Sequence, residues 1–294
     1  MIPASPSLGA ASNRRGALFM VLAMACFALE DASLKAATAH VPPAIAIMGF
    51  GLLGMAGFAL IALSRGERPL PRLTGGLMLR SGIELCGRLF YSLALAFTGL
   101  GLTSAILQAT PLVVVAGAVV VFGEKVGWRR WLAIAVGLSG VMLVLRPTGD
   151  GMDMAAIFAV LGMLGFAGRD LATRAAPLTV TNAQLGVLGM TVLFVAGLVV
   201  QLAARTPLVL PGPLPAAQIA LTALFGVAAY AALTVAMRTG EVSVVTPFRY
   251  TRLVFALILA ALMFGEVPDA WMIAGCVLIV GSGLFTLARG RRMV

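Results

Sequence analysis

What most constrains this chain is a succession of long apolar runs separated by short polar connections. A helix crossing the hydrocarbon core of a bilayer needs about 20 mostly apolar residues. Ten segments qualify: 16–36, 44–64, 76–98, 101–122, 128–146, 153–174, 183–203, 216–237, 242–264 and 268–288. In lipid every backbone N–H and C=O must be paired within the structure, which leaves only helices and closed barrels. The runs are too long and too continuously apolar for barrel strands, which alternate over short segments. The sequence therefore predicts an all-α integral membrane protein with ten transmembrane helices, numbered below as spans one to ten.

The bases decide how those spans are oriented. Hydrophobic residues make up 61% of the chain and charged residues 11%, against roughly a quarter in a soluble domain. The net charge of +10 comes from bases that bracket the apolar runs and form no single stripe, which argues for membrane orientation and against nucleic acid as a partner. Lys and Arg concentrate on the cytoplasmic side. With the N-terminus inside, that side holds Arg14, Arg15, Arg65, Arg68, Arg72, Lys125, Arg129, Arg130, Arg238, Arg289, Arg291 and Arg292, while the other holds Arg146 and Arg205. Both termini are thus expected in the cytoplasm, around a multi-pass protein of a bacterial-type inner membrane. Arg14 and Arg15 before an apolar run resemble the start of a signal peptide. Glu30, Asp31 and Lys35 interrupt that run and nine more spans follow, so the first is expected to be retained.

Cys26, Cys86 and Cys276 all lie within apolar segments and show no metal-ligand spacing. No HExxH, GxSxG, Walker or CxxC pattern occurs, so neither an enzyme activity nor a metal or other cofactor is expected.

The runs are also duplicated. FALEDASLKAA from Phe27 returns as FAGRDLATRAA from Phe166, a shift of 139 that aligns Phe27 with Phe166, Asp31 with Asp170 and Lys35 with Arg174. FGEKVGWRRW from Phe122 is echoed by FGEVPDAW from Phe264 at a shift of 142. Two five-span halves, 1–147 and 148–294, are predicted. Because five is odd, the second half enters the bilayer from the opposite side, and a pseudo-two-fold axis in the membrane plane relates the copies. Secondary transporters built this way hold substrate near the midplane, between halves that open alternately to each side.

Ten spans in a five-plus-five arrangement resemble the drug/metabolite transporter (DMT) superfamily, and within it the EamA-domain exporters. So do ILQATPLVVVAGAVVVFGEKVGWRRWLAIAVGLSGVMLVL (106–145) and its counterpart YTRLVFALILAALMFGEVPDAWMIAGCVLIVGSGL (250–284). The resemblance implies a central cavity lined mainly by spans 1, 3, 4, 6, 8 and 9, with spans 5 and 10 peripheral. It implies export of amino acids or related compounds first, and uptake of a larger metabolite such as riboflavin or S-adenosylmethionine as the alternative. One departure stands out. Pro111 lies 13 residues before Glu124, while the matching place in the second half is Leu253 and the proline there is Pro247. Span nine is therefore expected to bend at a different depth from span four.

Ionisable side chains inside spans are costly and normally face the bundle interior or a water-filled cavity, which makes them candidate functional groups. Asp31 with Lys35, Glu84 with Arg88, and Asp170 with Arg174 stand four residues apart, on one helix face. With Glu30 they are read either as internal ion pairs or as a set for ion relay or gating, and Lys35 and Arg174 can also snorkel to the interface. Charges do not balance: Glu30, Asp31, Glu84 and Asp170 face Lys35, Arg80, Arg88, Arg169, Arg174, Arg249 and Arg252, an excess of +3.

Arg249 and Arg252, one turn apart with no acid in span nine, are expected to hold an anionic group of the cargo, for which a guanidinium fork is suited. The other reading pairs them across helices with Glu30, Glu84 or Asp170. Glu84, Arg88 and Tyr91 form one stripe of span three that should face the cavity. Gln108, Arg169, Tyr230 and Tyr250 complete the candidate substrate-binding set. Pro111 and Pro247 each remove a helical hydrogen bond, which makes them candidate hinges and frees a carbonyl for the cargo or for an adjacent hydroxyl. The expected partners are a small-molecule substrate and the lipid bilayer, with a monomer sufficient and an oligomer possible.

Overall fold

The structure is a computed structural model, and it describes residues 10–122, 127–145, 155–174, 180–205, 207–239 and 246–290. These form eleven helices: α1 (Ala10–Thr38), α2 (Pro43–Ser64), α3 (Gly75–Phe97), α4 (Leu100–Leu107), α5 (Thr110–Phe122), α6 (Trp128–Leu145), α7 (Ala156–Arg174), α8 (Asn182–Ala204), α9 (Pro213–Thr239), α10 (Thr251–Phe264) and α11 (Ala270–Gly290). A 3-10 turn, Thr246–Tyr250, leads into α10. Among the described residues, five segments, Ser12–Thr38, Pro43–Ser64, Leu100–Val121, Asn182–Ala204 and Pro213–Leu233, are long and apolar enough to cross a membrane by length and composition. Helices α3, of 23 residues, and α7, of 19, each carry three charged side chains, the signature of spans that bury charge in the bundle.

The packing repeats when the halves are exchanged. Helix α1 packs chiefly on α9, and α7 does the same on α3; α2 packs on α8, and α6 on α11. Lesser contacts follow the rule too: α1 touches α10 as α7 touches α5, and α2 touches α9 as α8 touches α3.

Named contacts then fix direction. Lys35 near the end of α1 reaches Thr98 just past the end of α3, so α1 and α3 run the same way. Gly87 lies on Gly165, and Tyr91 on Gly162, so α7 runs antiparallel to α3 and hence to α1. Gly51 meets Phe194 while Phe58 meets Gly186, which sets α8 antiparallel to α2. Gly140 and Val144 both meet Gly275, while Gly137 meets Ser282, which sets α11 antiparallel to α6. Each of these helices therefore opposes its counterpart in the other half, as an inverted repeat requires.

Small residues make the close crossings possible, as is usual where lipid removes the hydrophobic drive between helices. A Cβ at Gly140 would stand 2.8 Å from the carbonyl oxygen of Gly275, and one at Gly275 would stand 2.6 Å from that of Gly140. The two backbones touch there, and any side chain would force them apart.

Span four is not one helix. It is interrupted at Gln108 and Ala109, between α4 and α5. Pro111 has no N–H to offer the carbonyl of Leu107, and the hydroxyl of Thr110 donates to that carbonyl instead, at 2.5 Å. From the break, Gln108 Nε2 donates to the backbone carbonyl of Arg249, at 3.4 Å, within the 3-10 turn that also contains Pro247. The two irregularities thus face each other, and the shift of 139 superposes residue 108 on 247. This corrects the expectation of bends at different depths. Span four breaks just ahead of its proline, and the described part of span nine opens on a 3-10 turn that contains its own, so the offset between the prolines cancels.

Candidate functional site

The buried charges form two clusters where the halves meet. In the first, Arg252 of α10 donates through Nη2 to Asp31 Oδ2 of α1, at 2.6 Å, and to the hydroxyl of Tyr91 of α3, at 3.2 Å. Its guanidinium lies 4.9 Å from the ring centroid of Phe27 and 5.8 Å from that of Tyr91. Asp31 is 1% exposed, so this is a desolvated ion pair, which depends on its partner far more than a surface pair would.

In the second cluster, Glu84 of α3, 2% exposed, gathers three guanidinium groups. Arg88 Nε donates to Oε1 at 3.1 Å, Arg80 Nη2 lies 3.2 Å from Oε2, and Arg169 Nη1 lies 3.8 Å from Oε1. Arg169 also donates through Nη2 and Nε to Asp170 Oδ1, at 2.8 and 3.1 Å. Glu84 and Arg88 lie against Gly189 of α8, where a Cβ would stand 3.0 Å from the Glu84 carboxylate.

Aromatic rings join the clusters. Tyr91 packs edge-on to Phe166 at 5.4 Å, and Arg169 lies 5.0 Å from the Phe166 centroid. Phe27 and Phe166, the pair that the repeat aligns, therefore each carry a guanidinium at nearly the same distance. The shift of 139 also relates Tyr91 to Tyr230, which packs edge-on to Phe58 at 5.4 Å. Phe27, Phe58 and Phe166 were absent from the candidate set, although the alignment of Phe27 with Phe166 was the available signal.

Of the three expected pairings, one holds, one changes and one lies outside the described residues. Glu84 and Arg88 do pair four residues apart. Asp31 does not pair with Lys35: Arg252 takes its carboxylate, and Lys35, near the end of its span, reaches outward on its long stem. Lys35 Nζ donates to the carbonyl of Thr98 at 2.5 Å and lies 3.8 Å from Glu266 Oε1. Asp170 is held by its chain neighbour Arg169, while the side chain of Arg174 lies outside the described residues, as does Glu124. Counting Glu266 beside Lys35 lowers the excess of positive charge from +3 to +2, and Arg252 is engaged with Asp31 within that balance. Arg249 has no ion pair among the described residues, Tyr250 is 6% exposed with no partner for its hydroxyl, and Glu30 is 9% exposed.

Glu266 is a residue the candidate set missed. Its two carboxylate oxygens accept from the backbone N–H groups of Leu100 and Gly101, at 2.9 and 3.0 Å, so it caps the N-terminus of α4 from the end of α10. A cleft of about 430 Å³ opens beside this junction, lined by Lys35, Gly99, Leu102, Leu257, Glu266 and Met272 among others. The FGE repeat marked the residue without revealing its partner.

The chain has matches among known proteins. The EamA-like transporter family profile covers residues 14–146 and 152–288. This chain belongs to that family. The transporter is 27% identical over 285 residues to the riboflavin transporter of Rhizobium johnstonii, covering 94% of this chain and 92% of that one. It is 24% identical to the S-adenosylmethionine uptake transporter of Rickettsia bellii, over 75% and 73% of the two chains, and 23% identical to that of Rickettsia prowazekii. A solved crystal structure matches with a TM-score of 0.66 at 19% identity, over 97% of the transporter and 99% of that chain, which speaks for the fold alone. Family and relatives place the protein in the DMT superfamily as a transporter and not an enzyme.

Proposed function

We propose that this transporter takes up a metabolite built on a flat ring system, such as riboflavin or S-adenosylmethionine, by alternating access between repeats 1–147 and 148–294. The observation that carries the reading is the wall formed by Phe27, Tyr91 and Phe166, with Arg252 and Arg169 lying against those rings. Aromatic faces and guanidinium planes offer stacking surfaces to a conjugated ring and hydrogen-bond donors to its carbonyls. The riboflavin transporter that matches along nearly the whole chain supports the same choice.

Amino-acid export, the first expectation, came from the family resemblance, and carboxylate capture by Arg249, Arg252 or Arg88 was the site chemistry that fitted it. Arg88 and Arg252 are bound to Glu84 and Asp31, which leaves that argument Arg249 alone of its three residues. Tyr230, Tyr250, Gln108 and Arg249 remain candidate contacts. The basic connections support cytoplasmic termini in a bacterial-type inner membrane.

A riboflavin-auxotrophic bacterium that lacks its own importer provides the test. Expression of the transporter is expected to restore growth at riboflavin levels where the vector control stalls. Failure to rescue, with the protein present in the membrane and S-adenosylmethionine uptake also absent, would remove this reading.

A further inference from the structure

Four acids lie inside spans at the meeting of the halves, and three hold a guanidinium: Asp31 with Arg252, Glu84 with Arg80, Arg88 and Arg169, and Asp170 with Arg169. Glu30 alone, among the described residues, makes no hydrogen bond or ion pair, although it is only 9% exposed. Its Oε2 lies 3.1 Å from the place a Cβ would take on Gly226 of α9, and that same place is 2.9 Å from the ring of Phe50 of α2. Glycine there leaves room for the carboxylate in a slot with an aromatic wall.

The surroundings supply no counter-charge at contact. Cys26 and Asp31 face Glu30 from its own helix, Arg88 and Tyr91 from α3, and Arg252 from α10. Helices α2 and α9 present Phe50 and Gly226, neither of which titrates. Arg252 and Arg88 attract Glu30 only from beyond ion-pair distance, being bound to Asp31 and Glu84. A carboxylate with little access to water and no partner at contact is costly inside a span.

We propose that Glu30 is a cation-receiving site of the transport cycle, whose carboxylate takes a positive charge arriving with the cargo. Two sources share this chemistry: a co-transported proton, and a cationic group on the cargo itself. The inference rests on the uptake reading above and adds the charge that accompanies uptake.

The test uses purified protein in proteoliposomes, wild type and Glu30→Gln, with neutral riboflavin and cationic S-adenosylmethionine as probes. If a proton is received, an inside-alkaline gradient drives riboflavin accumulation in the wild type, and Glu30→Gln keeps gradient-free counterflow while losing that stimulation. If a cationic group is received, Glu30→Gln weakens S-adenosylmethionine about tenfold, or about 1.4 kcal/mol, and leaves riboflavin unchanged. Probes that enter with no effect of the substitution overturn the inference. A hydrophobic carbodiimide, which modifies protonated carboxyl groups in apolar surroundings, supplies a readout that needs no cargo, scored at Glu30 by peptide mass spectrometry. If neither probe enters while Glu30 is modified, the uptake reading fails and the Glu30 site stands. If neither probe enters and Glu30 is unmodified, both fall.

Discussion

Arg252 shows how much one side chain does at the meeting of the halves. It binds Asp31, bonds to Tyr91 and lies over Phe27, joining α1, α3 and α10. Removing it strands a carboxylate that is 1% exposed, and breaking a buried pair from one side costs about 3–5 kcal/mol. Arg252→Ala is therefore expected to lower the thermal unfolding midpoint in detergent markedly, and Arg252→Ala with Asp31→Ala to recover much of the loss. Arg252→Lys retains the charge but not the planar fork, so it should fold and transport poorly. Equal damage from the single and double variants would contradict the pairing. The sequence placed every partner of this cluster inside a span, and local spacing found Glu84 with Arg88. It could not find Asp31 with Arg252, 221 residues apart, because a partner from another helix outcompetes one four residues along.

At the scale of elements, the break in span four has a plain cause. Pro111 leaves the Leu107 carbonyl to the Thr110 hydroxyl, and a proline inside a helix costs about 3 kcal/mol relative to alanine. Pro111→Ala should let α4 and α5 fuse, raising thermal stability while slowing transport; unchanged transport would deny the break a role. Glu266 caps α4 and holds Lys35, and a helix cap is worth about 0.5–2 kcal/mol. Glu266→Ala should lower the unfolding midpoint, and Glu266→Gln, which keeps one acceptor oxygen, should lower it less. Apolar length made the ten spans legible, and Pro111 marked the break between α4 and α5. The cap was not legible, since it joins residues 166 apart that no local pattern connects.

For the whole molecule, the inverted repeat was the most readable feature, because it is written twice in the same order: Phe27 and Phe166, Asp31 and Asp170, the two FGE motifs. The packing of α1 on α9 and of α7 on α3 follows from it. What the duplication concealed is asymmetry. Asp31 receives Arg252 from across the bundle while Asp170 is held by adjacent Arg169, so two equivalent acids sit in different electrostatic surroundings. On the alternating-access reading proposed above, the long-range partner of Asp31 and the local partner of Asp170 give the two half-cycles different bonds to break. The aromatic wall between these pairs is the central claim, and counterflow in proteoliposomes measures it most directly. Vesicles loaded with unlabelled riboflavin are expected to accumulate labelled riboflavin transiently, with the signal lost in Phe166→Ala and preserved in Phe166→Tyr. Counterflow of an amino acid in its place, or riboflavin counterflow untouched by Phe166→Ala, would contradict it.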